Sequence, residues 1–192
     1  MATKRDLSGE IARYRQAQRL FEHGARVPVV FEMTRLSSWF LRKLSREISG
    51  VSPRKGQMPN SDAWYVRSRN NLQVSLFMAN FRAIKNSRRL DGDACDLLIS
   101  AYEEYLRVIN SAQIRPVLGI DRAWWLLKSI QIRNLKLVAC VACGGDYVAY
   151  YGDLAKGYVC ASCSGYGGSA VSTPNRSVQF SARAPLTNRS TV

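Results

Sequence analysis

The sequence predicts a mainly α-helical protein that carries a small four-cysteine zinc ribbon near its C-terminus. Two observations predict this fold class. Apolar residues recur at spacings of three and four through most of the first 135 of the 192 residues, as they do on one face of a helix. Four of the five cysteines then fall in two pairs with two residues between the partners, within a stretch whose apolar pattern changes to that of short strands.

Three segments follow from these patterns. The helical pattern predicts a multi-helix domain over residues 1–135, and the cysteine pairs predict a zinc ribbon over 136–165. Within the ribbon, short strands are expected at 136–139, 146–151 and 157–159. Residues 166–192 are mostly Gly, Ser, Thr, Pro and Arg with few apolar side chains, so we expect a disordered tail.

The long helices are predicted from apolar faces bounded by caps, prolines and glycines. The first helix is expected to use Ser8 as its N-cap, because a hydroxyl accepts from the free N–H groups of the first turn. The helices are expected at Ser8 to about His23, about Ser61 to about Arg89, around Leu97 to Ile109, and Pro116 to about Asn134.

Two shorter helices are predicted between the first helix and a proline-bounded loop at 52–60. One covers 27–33, and the second begins at Ser37 or Ser38 and ends at Ser49, which is the length of a helix-turn-helix. On a helical wheel the apolar side of the second helix holds Phe40, Leu41, Leu44 and Ile48, and the other side holds Ser38, Trp39, Arg42, Ser45 and Arg46.

The polar side of this second helix suits a DNA groove. In a helix-turn-helix the second helix enters the major groove, where Arg bonds guanine edges and Ser or Lys contacts phosphates. Any two amphipathic helices joined by a short turn give the same pattern, with Trp39 packed onto the rest of the protein. The candidate DNA-binding residues are Arg35, Ser38, Arg42, Lys43 and Arg46.

The four paired cysteines predict one structural zinc ion, held by Cys140, Cys143, Cys160 and Cys163. Four thiolates close the coordination sphere and leave no position for substrate, so the ion should not be catalytic. Two disulfides or two redox dithiols are the alternatives. The N-terminus lacks a signal-peptide pattern, and no βαβ pattern surrounds either pair. The fifth cysteine, Cys95, is expected to pack as a small apolar residue.

The charge balance favours a polyanionic partner. Twenty-eight Lys and Arg against fourteen Asp and Glu give a formal net charge of +14, and nucleic acid leads the possible partners. No apolar stretch approaches the roughly 20 residues of a membrane span, so we expect a cytoplasmic protein without membrane contact. The single histidine, His23, lies far from the cysteines, and we expect no enzyme activity.

Several segments form a recognisable combination in their order along the chain: 23–26, 36–44, the Pro-Arg-Lys-Gly-Gln-Met-Pro loop at 53–59, 62–65, 122–124 and the spacing of the four cysteines. Roughly over residues 20–163, this combination resembles the FlhC family of flagellar transcriptional activators. The resemblance implies a subunit that acts with FlhD in a hetero-hexamer, binds double-stranded promoter DNA and recruits RNA polymerase, with the four cysteines as zinc ligands.

A basic zinc-ribbon protein that binds RNA or the ribosome is the alternative function. The net charge and the ribbon permit it, whereas the large helical core argues mildly against it. A preference for single-stranded or structured RNA over promoter duplex would establish it.

Overall fold

The computed structural model describes residues 6–87, 93–153 and 156–164, so the predicted tail at 166–192 lies outside the described residues. Within those ranges the protein is mainly helical, as predicted, and ends in a two-stranded antiparallel sheet. Its elements are α1 (Leu7–Glu22), α2 (Val27–Thr34), α3 (Ser38–Ser49), α4 (Ala63–Val66), α5 (Ser68–Asn86), α6 (Ala94–Ser111), α7 (Ile120–Gln131), β1 (Leu135–Ala139) and β2 (Asp146–Tyr150).

The hydrophobic core lies between the helices and continues under the sheet. Phe77 of α5, Tyr105 of α6 and Leu126 of α7 are fully buried in it, and Leu135 and Val148 join it from the two strands. The half-buried tryptophans Trp64, Trp124 and Trp125 pack against this core, and Cys95 is buried within it, as expected. Among the described residues, no helix combines the length and apolar character needed to cross a membrane.

The start of α1 differs from the prediction. The side chain of Asp6 accepts a hydrogen bond from the backbone N–H of Gly9 at 3.0 Å, so Asp6 and not Ser8 is the N-cap. Asp and Ser are about equally good caps, and Ser8 lies one residue inside the helix. Local sequence could not separate the two candidates.

The last helix begins later than Pro116 because side chains from other helices bind the backbone of the preceding residues. The N–H of Val117 donates to Oε1 of Gln73 at 3.0 Å, and the N–H of Leu118 donates to the Tyr105 hydroxyl at 3.2 Å. These long-range bonds replace a first helical turn, and α7 starts after Gly119.

The two strands pair from Leu135 opposite Tyr150 to Ala139 opposite Asp146. Side chains of α5 bind β2 directly, since Asn71 Nδ2 donates to the carbonyl of Val148 at 2.6 Å. The predicted third strand at 157–159 is wrong. The described residues join that segment to the first cysteine turn by one backbone bond, from Val141 N–H to the Tyr158 carbonyl at 2.9 Å, and form no ladder.

The N-cap of α6 should contribute more stability than that of α1. Asp93 accepts from the N–H groups of Cys95 at 2.9 Å and Asp96 at 3.1 Å, and also from the Gln16 amide of α1 at 3.1 Å. We expect Asp93→Ala to lower the free energy of unfolding by about 1–2 kcal/mol, and the exposed cap variant Asp6→Ala to cost less. Urea denaturation measures both, and equal losses would contradict the role of the Gln16 contact.

A carboxylate between α1 and α6 should make part of the stability depend on pH. Glu103 accepts from Arg19 at 2.7 Å and lies 3.1 Å from Nε2 of His23. Partial burial alone would raise the pKa of the Glu103 carboxyl, but hydrogen bonds and charges from Arg19 and His23 outweigh burial and lower that pKa. This ion cluster therefore stabilises the fold above the unfolded pKa, about 4.3, and that contribution is lost as pH falls through the lower folded value.

We accordingly expect Glu103→Gln to reduce the loss of stability on acidification. The urea midpoint of the variant should start lower at pH 7 and fall less than that of the wild type between about pH 5 and pH 3. An identical fall in the two proteins would show that the Arg19 and His23 contacts contribute nothing to acid sensitivity.

Candidate metal centre and candidate nucleic-acid interface

The four paired cysteines come together at the end of the hairpin. One sulfur from each of Cys140, Cys143, Cys160 and Cys163 lies within 4.8 Å of the other three, and the Cys143 and Cys160 sulfurs are 4.0 Å apart. A tetrahedral ion with metal–sulfur bonds of about 2.3 Å places its sulfurs about 3.8 Å apart. The cluster therefore has the dimensions of a four-thiolate metal site.

Two tight turns position these sulfurs. After β1, the N–H of Gly144 donates to the Cys140 carbonyl at 2.8 Å, and the N–H of Cys140 donates to the Gly145 carbonyl at 2.9 Å. Gly144 has φ +71°, a left-handed conformation that glycine adopts without strain. In the second turn the N–H of Ser164 donates to the Cys160 carbonyl at 2.9 Å. Each pair thus presents two sulfurs to the same point.

The charges in the cluster favour a cation. The backbone N–H of Cys160 lies 3.3 Å from the Cys140 sulfur and is the main reason why the pKa of the Cys140 thiol falls to about 6. Hydrogen bonding to the Cys160 sulfur raises the pKa of the Cys163 thiol to about 12. Four sulfurs this close cannot all ionise unless a positive charge offsets their repulsion, which a divalent metal supplies.

The solvent exposure of the cluster is uneven. Cys140 and Cys160 are buried, with exposed fractions of 2% and 0%, while Cys143 and Cys163 are exposed. The cluster is therefore anchored to the fold through two of its cysteines and open to solvent at the other two.

The second candidate site is α3, which follows α2 after a short turn. The Ser37 hydroxyl caps α3 by accepting from the N–H of Phe40, and Arg35 in the turn has a left-handed φ of 57°. The apolar side is as predicted: Leu41 is buried and Phe40, Leu44 and Ile48 pack against the core. α2 and α3 lie at the predicted positions along the chain, separated by the predicted short turn. Their function as a helix-turn-helix stays a prediction.

One residue on the predicted outer side of α3 faces inward. Ser45 is only 8% exposed, so it cannot contact a partner. The helix packs against both α1 and α2, which widens its buried side beyond the apolar residues. A wheel based on hydrophobicity could not detect a small polar residue buried by two neighbours.

The remaining polar side chains of α3 are exposed, including Ser38, Arg42, Lys43 and Arg46. Trp39 is 74% exposed and therefore does not pack onto the rest of the described protein, which removes one alternative. Two candidates have carboxylate neighbours, since Arg35 lies 3.3 Å from Glu32 and Lys43 lies 4.0 Å from Glu47. Among the described residues, Arg42 and Arg46 form no ion pair, so their charges are the most available.

Sequence reasoning missed the contact between Arg26 and the loop at 52–60. Arg26 donates to the Gln57 carbonyl at 2.8 Å and pairs with Asp121 at 3.4 Å. No periodic pattern links residues so far apart in sequence. Only the loop could be recognised in the sequence, because two prolines flank a segment that contains the adjacent basic residues Arg54 and Lys55.

Comparison with known proteins decides the family. The family model described as "Flagellar transcriptional activator (FlhC)" matches residues 1–175. The chain belongs to the FlhC family. It is 36% identical over 156 residues to "Flagellar transcriptional regulator FlhC" of Gallionella capsiferriformans, covering 81% of this chain and 85% of that protein.

Two further FlhC relatives agree. The protein of Thauera aminoaromatica is 34% identical over 150 residues, which cover 78% of this chain and 76% of that protein. The protein of Enterobacter cloacae subsp. cloacae is 30% identical over 165 residues, or 85% of each chain. Both are also named "Flagellar transcriptional regulator FlhC", and this name describes a transcriptional regulator and not an enzyme. The resemblance inferred from the sequence is confirmed at the level of the family and its regulatory role.

Proposed function

We propose that this FlhC-family chain is the DNA-binding subunit of a cytoplasmic transcriptional activator. It acts with FlhD in a hetero-hexamer, binds flagellar promoter DNA and recruits RNA polymerase. The observation that carries the proposal is the exposed basic side of α3, where Arg42 and Arg46 lack carboxylate partners among the described residues. The family match supports an activator role.

The dimensions of α3 support docking in the major groove. Ser38, Arg42 and Arg46 are four residues apart and so lie along one side of the helix over about 12 Å. The major groove of B-DNA is about 12 Å wide and admits one helix. Arg42 and Arg46 would bond base edges, while Arg35, Ser38 and Lys43 would contact the backbone.

We further propose that the cysteine cluster holds one structural zinc ion. Four thiolates are soft ligands in tetrahedral geometry, the combination that selects zinc among common divalent metals. The ion would tie residues 156–164 to the first cysteine turn, which they otherwise contact through few hydrogen bonds. Its four protein ligands leave no place for substrate, so its contribution is to stability.

Site-specific photocrosslinking tests the docking of α3. Benzoylphenylalanine at position 38, on the exposed start of α3, should crosslink to promoter duplex in the complex with FlhD. The same group at the exposed Ala79 of α5 is the control and should not crosslink. Equal crosslinking from both positions, or from Ala79 alone, would reject α3 as the DNA-binding helix.

RNA binding is the second candidate function, and one observation favours it. Trp39 is 74% exposed beside Lys43, whose Nζ lies 5.9 Å from the ring centroid. An exposed aromatic ring beside a cation can stack on an unpaired base. A partner consisting of single-stranded RNA would use this ring, whereas a duplex would use the two arginines.

A further inference from the structure

The loop between α3 and α4, residues 52–60, presents two adjacent positive charges and is here called the basic loop. Arg54 and Lys55 are exposed, while Pro53, Met58 and Pro59 are half-buried. Gly56 has φ +106°, a conformation that other residues rarely adopt. Half-buried Pro53 at one end and half-buried Met58 and Pro59 at the other thus anchor the loop, and its two charged residues are exposed between them.

Arg26 fixes this loop to the helical core. Its NH1 donates to the Gln57 carbonyl at 2.8 Å, and its Nε lies 3.4 Å from Oδ2 of Asp121 in α7. Its backbone N–H, at the N-cap of α2, donates to the other Asp121 oxygen at 2.9 Å. Because the side chains of Arg26 and Asp121 are only 22% and 14% exposed, this junction is largely shielded from water.

The charges of the basic loop are available to a partner. Among the described residues, neither Arg54 nor Lys55 forms an ion pair with a carboxylate. Burial raises the pKa of the Asp121 carboxyl, and Arg26 together with the charge of Arg54 offsets only part of that rise. This carboxylate already accepts from the backbone N–H of Arg26. Because the loop is anchored, its backbone loses little conformational freedom when the two cations bind.

The loop lies close to the proposed DNA-binding helix along the chain. The last residue of α3 is Ser49, and Arg54 follows it by five residues, so their Cα atoms cannot be more than about 18 Å apart. A helix in a major groove about 12 Å wide has a phosphate backbone on each side. A basic loop within that reach can lie over one of those backbones.

We propose that Arg54 and Lys55 form a second DNA-contact surface that binds duplex phosphates beside α3, with Arg26 as the residue that positions the loop. This inference rests on the proposed function and extends it to residues outside the helix-turn-helix segment. Phosphate contacts carry no sequence information, so the basic loop should add affinity for every duplex equally.

The test is duplex binding by the complete chain in complex with FlhD. We expect Arg54→Gln with Lys55→Gln to weaken binding of both a flagellar promoter duplex and a random duplex about tenfold. The slope of log affinity against log salt should fall by about 2, one for each lost phosphate contact. The charge-matched control, Lys85→Gln with Arg115→Gln, removes two exposed cations outside α3 and the loop and should leave both quantities unchanged.

A third variant tests the positioning role of Arg26. Arg26→Gln keeps Arg54 and Lys55 but removes the guanidinium, which pairs with Asp121 and donates to the Gln57 carbonyl of the loop. Because the loop then loses this support, we expect a similar loss of affinity for both duplexes. Combined with the loop substitutions it should cause little further loss, because both changes remove the same contact. Fully additive losses would show that Arg26 acts elsewhere.

The outcomes separate this proposal from the function on which it rests. If the wild-type complex binds the promoter duplex and the loop variant matches its affinity and salt slope, the basic loop proposal is wrong and the proposed function stands. If the loop variant loses affinity for the promoter only, the loop reads bases and the phosphate assignment is wrong. If the wild-type complex binds no duplex, the proposed function itself fails.

Discussion

Cys160→Ser should abolish stoichiometric zinc binding and lower the free energy of unfolding by about 4 kcal/mol or more, the range typical of a lost structural metal. Cys160 is fully buried, and its sulfur lies 4.0 Å from that of Cys143. A serine at this position leaves three thiolates and one weak oxygen ligand. Calorimetry should show a melting temperature lower by roughly 10 °C or more, and metal analysis should fall from one ion per chain to none.

The structural consequence should be local. Residues 156–164 are held by the Val141 to Tyr158 backbone bond and the Cys160 to Cys140 sulfur contact, so we expect their amides to exchange rapidly without metal. Val148 should stay protected, because it is buried and its N–H donates to the Ser75 hydroxyl of α5. Hydrogen exchange followed by mass spectrometry resolves the two regions.

Cys95→Ala is the matched control for thiol removal. Cys95 is buried in α6, away from the cluster, so its loss should cost stability without changing the metal content. Chelation provides the second measurement, since Cys143 and Cys163 are exposed and a chelator can reach the ion. Unchanged exchange of residues 156–164 after complete metal removal would contradict the structural role of the metal.

Replacing both Arg42 and Arg46 with Ala should reduce promoter affinity of the complex with FlhD by about 30-fold or more, since each arginine bonded to a base edge contributes about 1–3 kcal/mol. Both side chains are exposed on the same side of α3. The substitutions should leave the fold intact, because Ala favours helix and neither side chain packs in the core. Fluorescence anisotropy at one fixed salt concentration measures the affinity.

Two controls separate base reading from general charge. Arg42→Lys with Arg46→Lys keeps the charge but loses the bidentate geometry, so random-duplex affinity should remain while promoter preference falls. The Lys85 and Arg115 variant removes equal charge from other surfaces and should bind the promoter normally. Wild-type promoter affinity in a folded Arg42 and Arg46 double-alanine complex would show that α3 does not read the DNA.

Local patterns in the sequence predicted the elements whose cause is itself local. The turn between α2 and α3, the start of α3 at Ser37 or Ser38, and the apolar side of α3 follow from short-range spacing. The cysteine spacing likewise predicted a cluster, because two tight turns suffice to bring each pair of sulfurs together.

Apart from the N-cap of α1, the errors occur where distant residues decide the local structure. Side chains of Gln73 and Tyr105 bind the backbone after Pro116 and delay the start of α7. Ser45 is buried because two helices flank α3. The segment at 157–159 is held at the cysteine turn, and none of the described residues pairs with it as a strand. The junction of Arg26, Gln57 and Asp121 joins three parts of the chain and leaves no periodic pattern.

The proposed role as a promoter-binding activator is tested most directly by comparing three nucleic acids at one fixed salt concentration. A flagellar promoter duplex, a random duplex of equal length and a structured RNA are titrated with the protein, with and without co-expressed FlhD. We expect selective binding of the promoter duplex that requires FlhD. Equal affinity for all three polyanions, or a preference for the RNA, would contradict it and favour the RNA-binding alternative.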